Sequence, residues 1–126
     1  MDKKRPVNLD LGTIALPITS YVSILHRVSG VIMFFAVAVL LWLLESSLAS
    51  EASFNELSNL LNNPLCQIIV WGTLAALAYH SVAGMRHMIM DFGVGEDSFY
   101  AGRLSAWAAL ALAAVVIALI TLWVFL

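Results

Sequence analysis

Cysteine is almost missing from this chain: Cys66 stands alone among 126 residues. One thiol excludes an internal disulfide and a four-thiolate iron–sulfur site built within the chain. Cys66 itself reads as a small buried apolar residue. Charge is scarce too, at 11% of residues, where an ordinary globular protein carries about a quarter. The few basic residues form no patch, so nothing points to nucleic acid. The glycines form no strand-borne fingerprint for a dinucleotide, which excludes FAD binding by this chain. Repeats and low-complexity tracts are absent as well.

Apolar residues fill the gap, at 62% of the chain with a mean hydropathy of +0.94. Charge is missing from the 17 residues between Arg27 and Glu45, from 65–85 and from 104–126. A bilayer core of about 30 Å takes about 20 helical residues at about 1.5 Å each. The pattern predicts an all-α membrane protein with three transmembrane helices near 21–44, 65–91 and 104–126, forming one domain over 1–126. The first apolar run starts too late for a secretory signal, and no small-residue cleavage site closes it. An N-terminal arm, "MDKKRPVNLDLGTIALPITS", precedes the first span, with Ser20 as its expected N-cap. The first loop, "ESSLASEASFNELSNLLNNP", has room for a short amphipathic helix, and "NNP" predicts a break before the second span.

Lys3, Lys4 and Arg5 precede the first span, Arg86 and Arg103 flank the second loop, and the first loop has no basic residue. The positive-inside rule therefore places the N-terminus and second loop in the cytoplasm and the C-terminus across the membrane. Trp42, Trp71, Trp107 and Trp123 fall near predicted span ends, as an interfacial belt would. In this topology Ser23, His26, Arg27, His80, Arg86, His87, Asp91 and Arg103 all gather in the cytoplasmic leaflet.

On the second span, His80, Gly84, His87 and Asp91 share a face that Thr73 and Ala76 continue. His80 and His87 are two turns apart, about 10 Å along the axis. That distance rules out joint ligation of one small ion, since histidine–metal bonds are about 2 Å. It suits different parts of one large ligand, and a haem fits: a deep histidine on iron, a shallower one near a propionate. Gly84 would leave room for a flat macrocycle. The second axial ligand would come from another polypeptide, because His87 shares the helix of His80 and His26 lies shallower. Polar packing between membrane helices is the competing explanation of the same stripe.

The first span offers "SILHRVSG", in which Ser23, His26, Arg27 and Gly30 share a face. Arg27 either snorkels to the interface or binds an anion. A Ser23 hydroxyl suits a quinone carbonyl, and a fixed guanidinium suits the negative charge of a partly reduced quinone or a haem propionate.

Together, "RPVNLDL…SILHRVSG" and "HSVAGMRHMIMDFG" resemble the cytochrome b membrane-anchor subunit of succinate dehydrogenase, in the bacterial form of respiratory complex II. The resemblance covers nearly the whole chain. It implies that three helices pack with a second anchor subunit into a larger bundle in the bacterial inner membrane, with a periplasmic C-terminus. It implies that His80 is an axial ligand of haem b, the other ligand coming from that second subunit. It implies further that Ser23 and Arg27 contact ubiquinone beneath the iron–sulfur subunit, and that His26, Arg27 and His87 neighbour the haem propionates. Arg86 and Asp91 match the motif as interface residues, with Asp91 balancing Arg86. Succinate oxidation would belong to a flavoprotein subunit, and no residue here would act on succinate. A fumarate reductase-type anchor using menaquinone is the near alternative. A small transporter, which needs polar groups in both leaflets, and a cofactor-free scaffold are the distant ones.

Overall fold

Pro17 sets the start of the first helix. Its backbone is extended (φ −68°, ψ 158°), and its carbonyl accepts from the amides of Ser20 at 3.0 Å and Tyr21 at 3.4 Å. The ring's fixed φ suits a residue just outside a helix, and helical geometry follows at once. Ser20 therefore lies inside the first turn rather than capping it, and no side chain caps this end. The computed structural model describes residues 12, 14–94 and 98–126. Lys3, Lys4, Arg5 and the rest of "RPVNLDL", with Gly95, Glu96 and Asp97 of the second loop, lie outside the described residues.

The described residues form four helices: α1 (Ile18–Ala49), α2 (Glu51–Leu60), α3 (Pro64–Asp91) and α4 (Phe99–Phe125). Of these, α1, α3 and α4 are long and apolar enough to cross a membrane, so the expected all-α, three-span architecture holds. α1 has 32 residues, about 48 Å at 1.5 Å per residue, and so overhangs a bilayer core of about 30 Å. It ends where Ser50 turns extended, and the Ser50 hydroxyl then caps α2 by accepting from the Ser53 amide at 3.0 Å. The Ser53 hydroxyl donates back to the Ser46 carbonyl at 2.7 Å, pinning α2 against α1. α2 is the short loop helix expected from the sequence.

The "NNP" break works as a cap. Asn63 Oδ1 accepts from the Leu65 amide at 2.9 Å, and Pro64 opens α3, where its missing N–H costs nothing. α3 closes at Gly93, whose φ of +83° is a conformation that favours glycine. α4 begins at Phe99, five residues before the expected 104, because Ser98 caps it through the Ala101 amide at 3.1 Å. Arg103 thus lies in the second turn of a helix, not at the end of a loop.

α3 runs antiparallel to both α1 and α4 and packs on each. Val22, Ala83 and Ala106 meet between the three helices, towards the start of α1, all 1% exposed or less and flanked by Ile18, Tyr79 and Leu110. Small residues let the backbones approach closely, as membrane helices require. At the far end, Trp71 Nε1 donates to Thr121 Oγ1 at 2.8 Å, and that hydroxyl donates to the Ile117 carbonyl at 2.7 Å. Buried Thr73 also lies in that half. The expected gathering of polar groups in one leaflet therefore applies to the ionisable residues and not to every hydroxyl: Thr121 in the far half is satisfied by a carbonyl of its own helix. Large side chains such as Phe34, Phe35 and Trp123 face outward. Trp42, Trp71 and Trp107 sit seven or eight residues inside helix ends; for Trp42 and Trp107 this is because α1 and α4 run past the expected spans.

Candidate functional site

The first turns of α1 lie beside the last turns of α3, and the three histidines meet there. The rings of His26 and His80 stack with centroids 4.2 Å apart and planes 7° from parallel. His87 tilts against His26 at 5.2 Å. All three are half-buried.

His80 is held by polar contacts on one edge only. Its Nδ1 lies 3.2 Å from the His26 carbonyl and 3.1 Å from Ser29 Oγ, and the Ser29 hydroxyl donates to that same carbonyl at 2.8 Å. Nε2 has no hydrogen bond to any described residue. No buried side-chain nitrogen or oxygen among the described residues lacks a partner, so Nε2 reaches the surface of the helix trio. A haem-iron ligand needs this arrangement: a neutral imidazole with one nitrogen tethered inside the protein and the other open. The donor set fits the group.

Two glycines lie against the histidine rings. A Cβ on Gly30 would stand 3.2 Å from His80 Cε1, tight enough to force a shift. A Cβ on Gly84 would meet His26 Nε2 at 3.5 Å, an ordinary contact. Gly30 on α1 thus makes room for the ring of His80, while Gly84, set against a macrocycle in the sequence reading, faces the ring of His26.

Two further residues shape the site. The Tyr79 hydroxyl donates to the Val22 carbonyl at 2.9 Å, one turn of α1 before the carbonyl that His80 contacts. Ser29, buried at 5% exposed, completes the tether. Sequence reasoning singled out neither. Ser29 stands in the quoted "VSG" and Tyr79 directly precedes His80, but their roles depend on contacts between helices.

Arg86 is 7% exposed; its Nε donates to Ser105 Oγ at 3.1 Å and its Nη2 to the Gly102 carbonyl at 3.3 Å. The expected balance with Asp91 is not formed. Residues five apart on a helix point about 140° away from each other, and Asp91 is exposed. The guanidinium binds α3 to the first turns of α4. Arg86→Met, which keeps the bulk but removes the fork, is expected to cost about 1–2 kcal/mol. Thermal denaturation of the purified assembly reads this as a lowered midpoint, and an unchanged midpoint would deny the fork a structural role.

Ser23 is half-buried and Arg27 exposed, on neighbouring turns of α1. No hydrogen bond or ion pair joins either to another described residue. Mostly apolar clefts of about 300 Å³ between α3 and α4, and about 410 Å³ among α1, α2 and α3, include neither of them and none of the histidines. The structure brings His26, His80 and His87 together and leaves Ser23 and Arg27 on an open face.

Residues 1–120 match the family described as succinate dehydrogenase/fumarate reductase transmembrane subunit. A succinate dehydrogenase cytochrome b556 subunit from Coxiella burnetii is 38% identical over 126 residues, covering 99% of this chain and 100% of that protein. A subunit of the same name from Paracoccus denitrificans is 32% identical over 121 residues, 96% of this chain and 92% of its own. A succinate dehydrogenase cytochrome b560 subunit from Porphyra purpurea is 34% identical over 97 residues, 75% and 77% of the two chains.

Proposed function

Because the chain belongs to the succinate dehydrogenase/fumarate reductase transmembrane-subunit family, we propose that it holds one face of haem b through His80 and contributes Ser23 and Arg27 to ubiquinone reduction. As a member of that family it is a multi-pass membrane anchor of succinate dehydrogenase, an oxidoreductase, and associates with that enzyme's other subunits. The observation that carries the finer reading is the tethered Nδ1 and outward Nε2 of His80.

Haem, when bound, supplies reversible one-electron chemistry. His80 would hold the haem iron through Nε2, and a second anchor subunit would supply the other protein ligand. His26, His87 and Arg27 would hold the haem propionates, Arg27 through a charge-assisted fork. The Ser23 hydroxyl donates to a quinone carbonyl, and Arg27 supplies positive charge where the quinone oxygens gain electrons. Their open face is completed by the iron–sulfur subunit, which receives electrons from the flavoprotein. This end of the bundle faces the cytoplasm in the bacterial inner membrane, so water brings the protons that quinone reduction consumes, and the C-terminus is periplasmic. Use as a fumarate reductase anchor with menaquinone is disfavoured, since relatives covering nearly the whole chain are named for succinate dehydrogenase.

A reduced-minus-oxidised spectrum of the purified complex tests the reading. Succinate is expected to produce a b-type haem band. Its absence from a complex that contains every subunit and oxidises succinate would overturn the assignment.

A further inference from the structure

We infer that Ser29 is a positioning residue for His80: with the His26 carbonyl it holds the imidazole in its Nδ1–H form and turns the Nε2 lone pair outward. This rests on the reading of His80 as a haem ligand. The tautomer follows from three distances that share one acceptor. A carbonyl oxygen only accepts, so the 3.2 Å contact from His80 Nδ1 to the His26 carbonyl is favourable only if Nδ1 carries the proton. The Ser29 hydroxyl has one proton and directs it to that same carbonyl at 2.8 Å. Its oxygen is then the acceptor in the 3.1 Å contact with Nδ1. The opposite tautomer would set two lone pairs against each other at the carbonyl. Of the two neutral tautomers, only the Nδ1–H form accounts for all the hydrogens, and in it the Nε2 lone pair is free.

The ring is also confined. His26 stacks on one face at 4.2 Å, and Gly30 lies close enough to Cε1 that a methyl group there, at 3.2 Å, would press the ring by a few tenths of an ångström. A ring flip would move Nδ1 away from both acceptors. Ser29 is buried at 5% exposed, so water does not compete for its hydroxyl. Donation from Nδ1–H raises the basicity of the ligating nitrogen, which favours the oxidised iron. The bland alternative is that Ser29 only bonds back to its own helix, as serines in membrane helices often do.

Ser29→Ala and Ser29→Cys in the whole complex separate the two. Each removes the strong acceptor, and cysteine nearly preserves the buried volume. Both are expected to raise the haem midpoint potential in redox titration and shift the low-spin EPR signal of the oxidised haem. Both should also weaken haem retention about 10–100-fold, the usual cost of losing a partner behind a metal ligand. Wild-type potential and EPR signal in either variant would overturn the inference, and so would failure of both variants to assemble, which would assign Ser29 to packing. A complex whose haem is indifferent to His80→Ala would sink the ligand reading beneath it. A haem that depends on His80 and ignores Ser29 sinks this inference alone.

Discussion

His80→Ala is expected to abolish the low-spin b-type haem spectrum of the purified complex. The substitution removes the imidazole whose outward Nε2 has no other partner, and the neighbouring histidines do not replace it in place. His26 lies face to face with the vacated ring, beside Gly84. His87 is two turns along the same helix, about 10 Å away. The bundle itself should survive, since the junction of Val22, Ala83 and Ala106 and the bond from Tyr79 to the Val22 carbonyl are untouched. Loss of haem from a complex that still oxidises succinate with a soluble acceptor is therefore the discriminating result. An unaltered low-spin spectrum would mean that iron is ligated elsewhere.

The second large effect concerns quinone. Arg27→Leu is expected to lower succinate:quinone reductase activity about 100-fold, the scale of removing one fixed donor from a developing negative charge. Ser23→Ala should act in the same direction and less strongly, because it removes a neutral hydrogen bond. Neither residue bonds to another described residue, and Arg27 is exposed in the isolated chain, so both changes should spare folding. Succinate oxidation by an artificial soluble acceptor should remain close to normal. A parallel fall in both activities in an assembled complex would remove Ser23 and Arg27 from the quinone site.

Much of this architecture is legible in the sequence. Runs without charge locate α1, α3 and α4, because a bilayer penalises ionised side chains over a fixed length. Helix ends are harder to read. Pro17 displaces Ser20 as the start of α1, and Ser98 starts α4 well before Arg103, since a basic residue near the membrane surface does not stop a helix. Helical periodicity brings His80 and His87 to one face, and the meeting with His26 follows from the topology. Ser29, Tyr79 and Gly30 escape for a common reason. Each acts on a residue of another helix, and the rotation and register that pair them depend on packing, which periodicity within one helix does not encode. Arg86 shows the same limit: its place in an interface is readable, whereas its partners on α4 are not.

Tyr79 and His80 are consecutive on α3 and grip the carbonyls of Val22 and His26, four residues apart on α1. Sliding one helix past the other by a full turn, about 5.4 Å, would break both grips at once. Together they therefore set the register of α1 against α3, and with it the height of the His80 ring in the bundle.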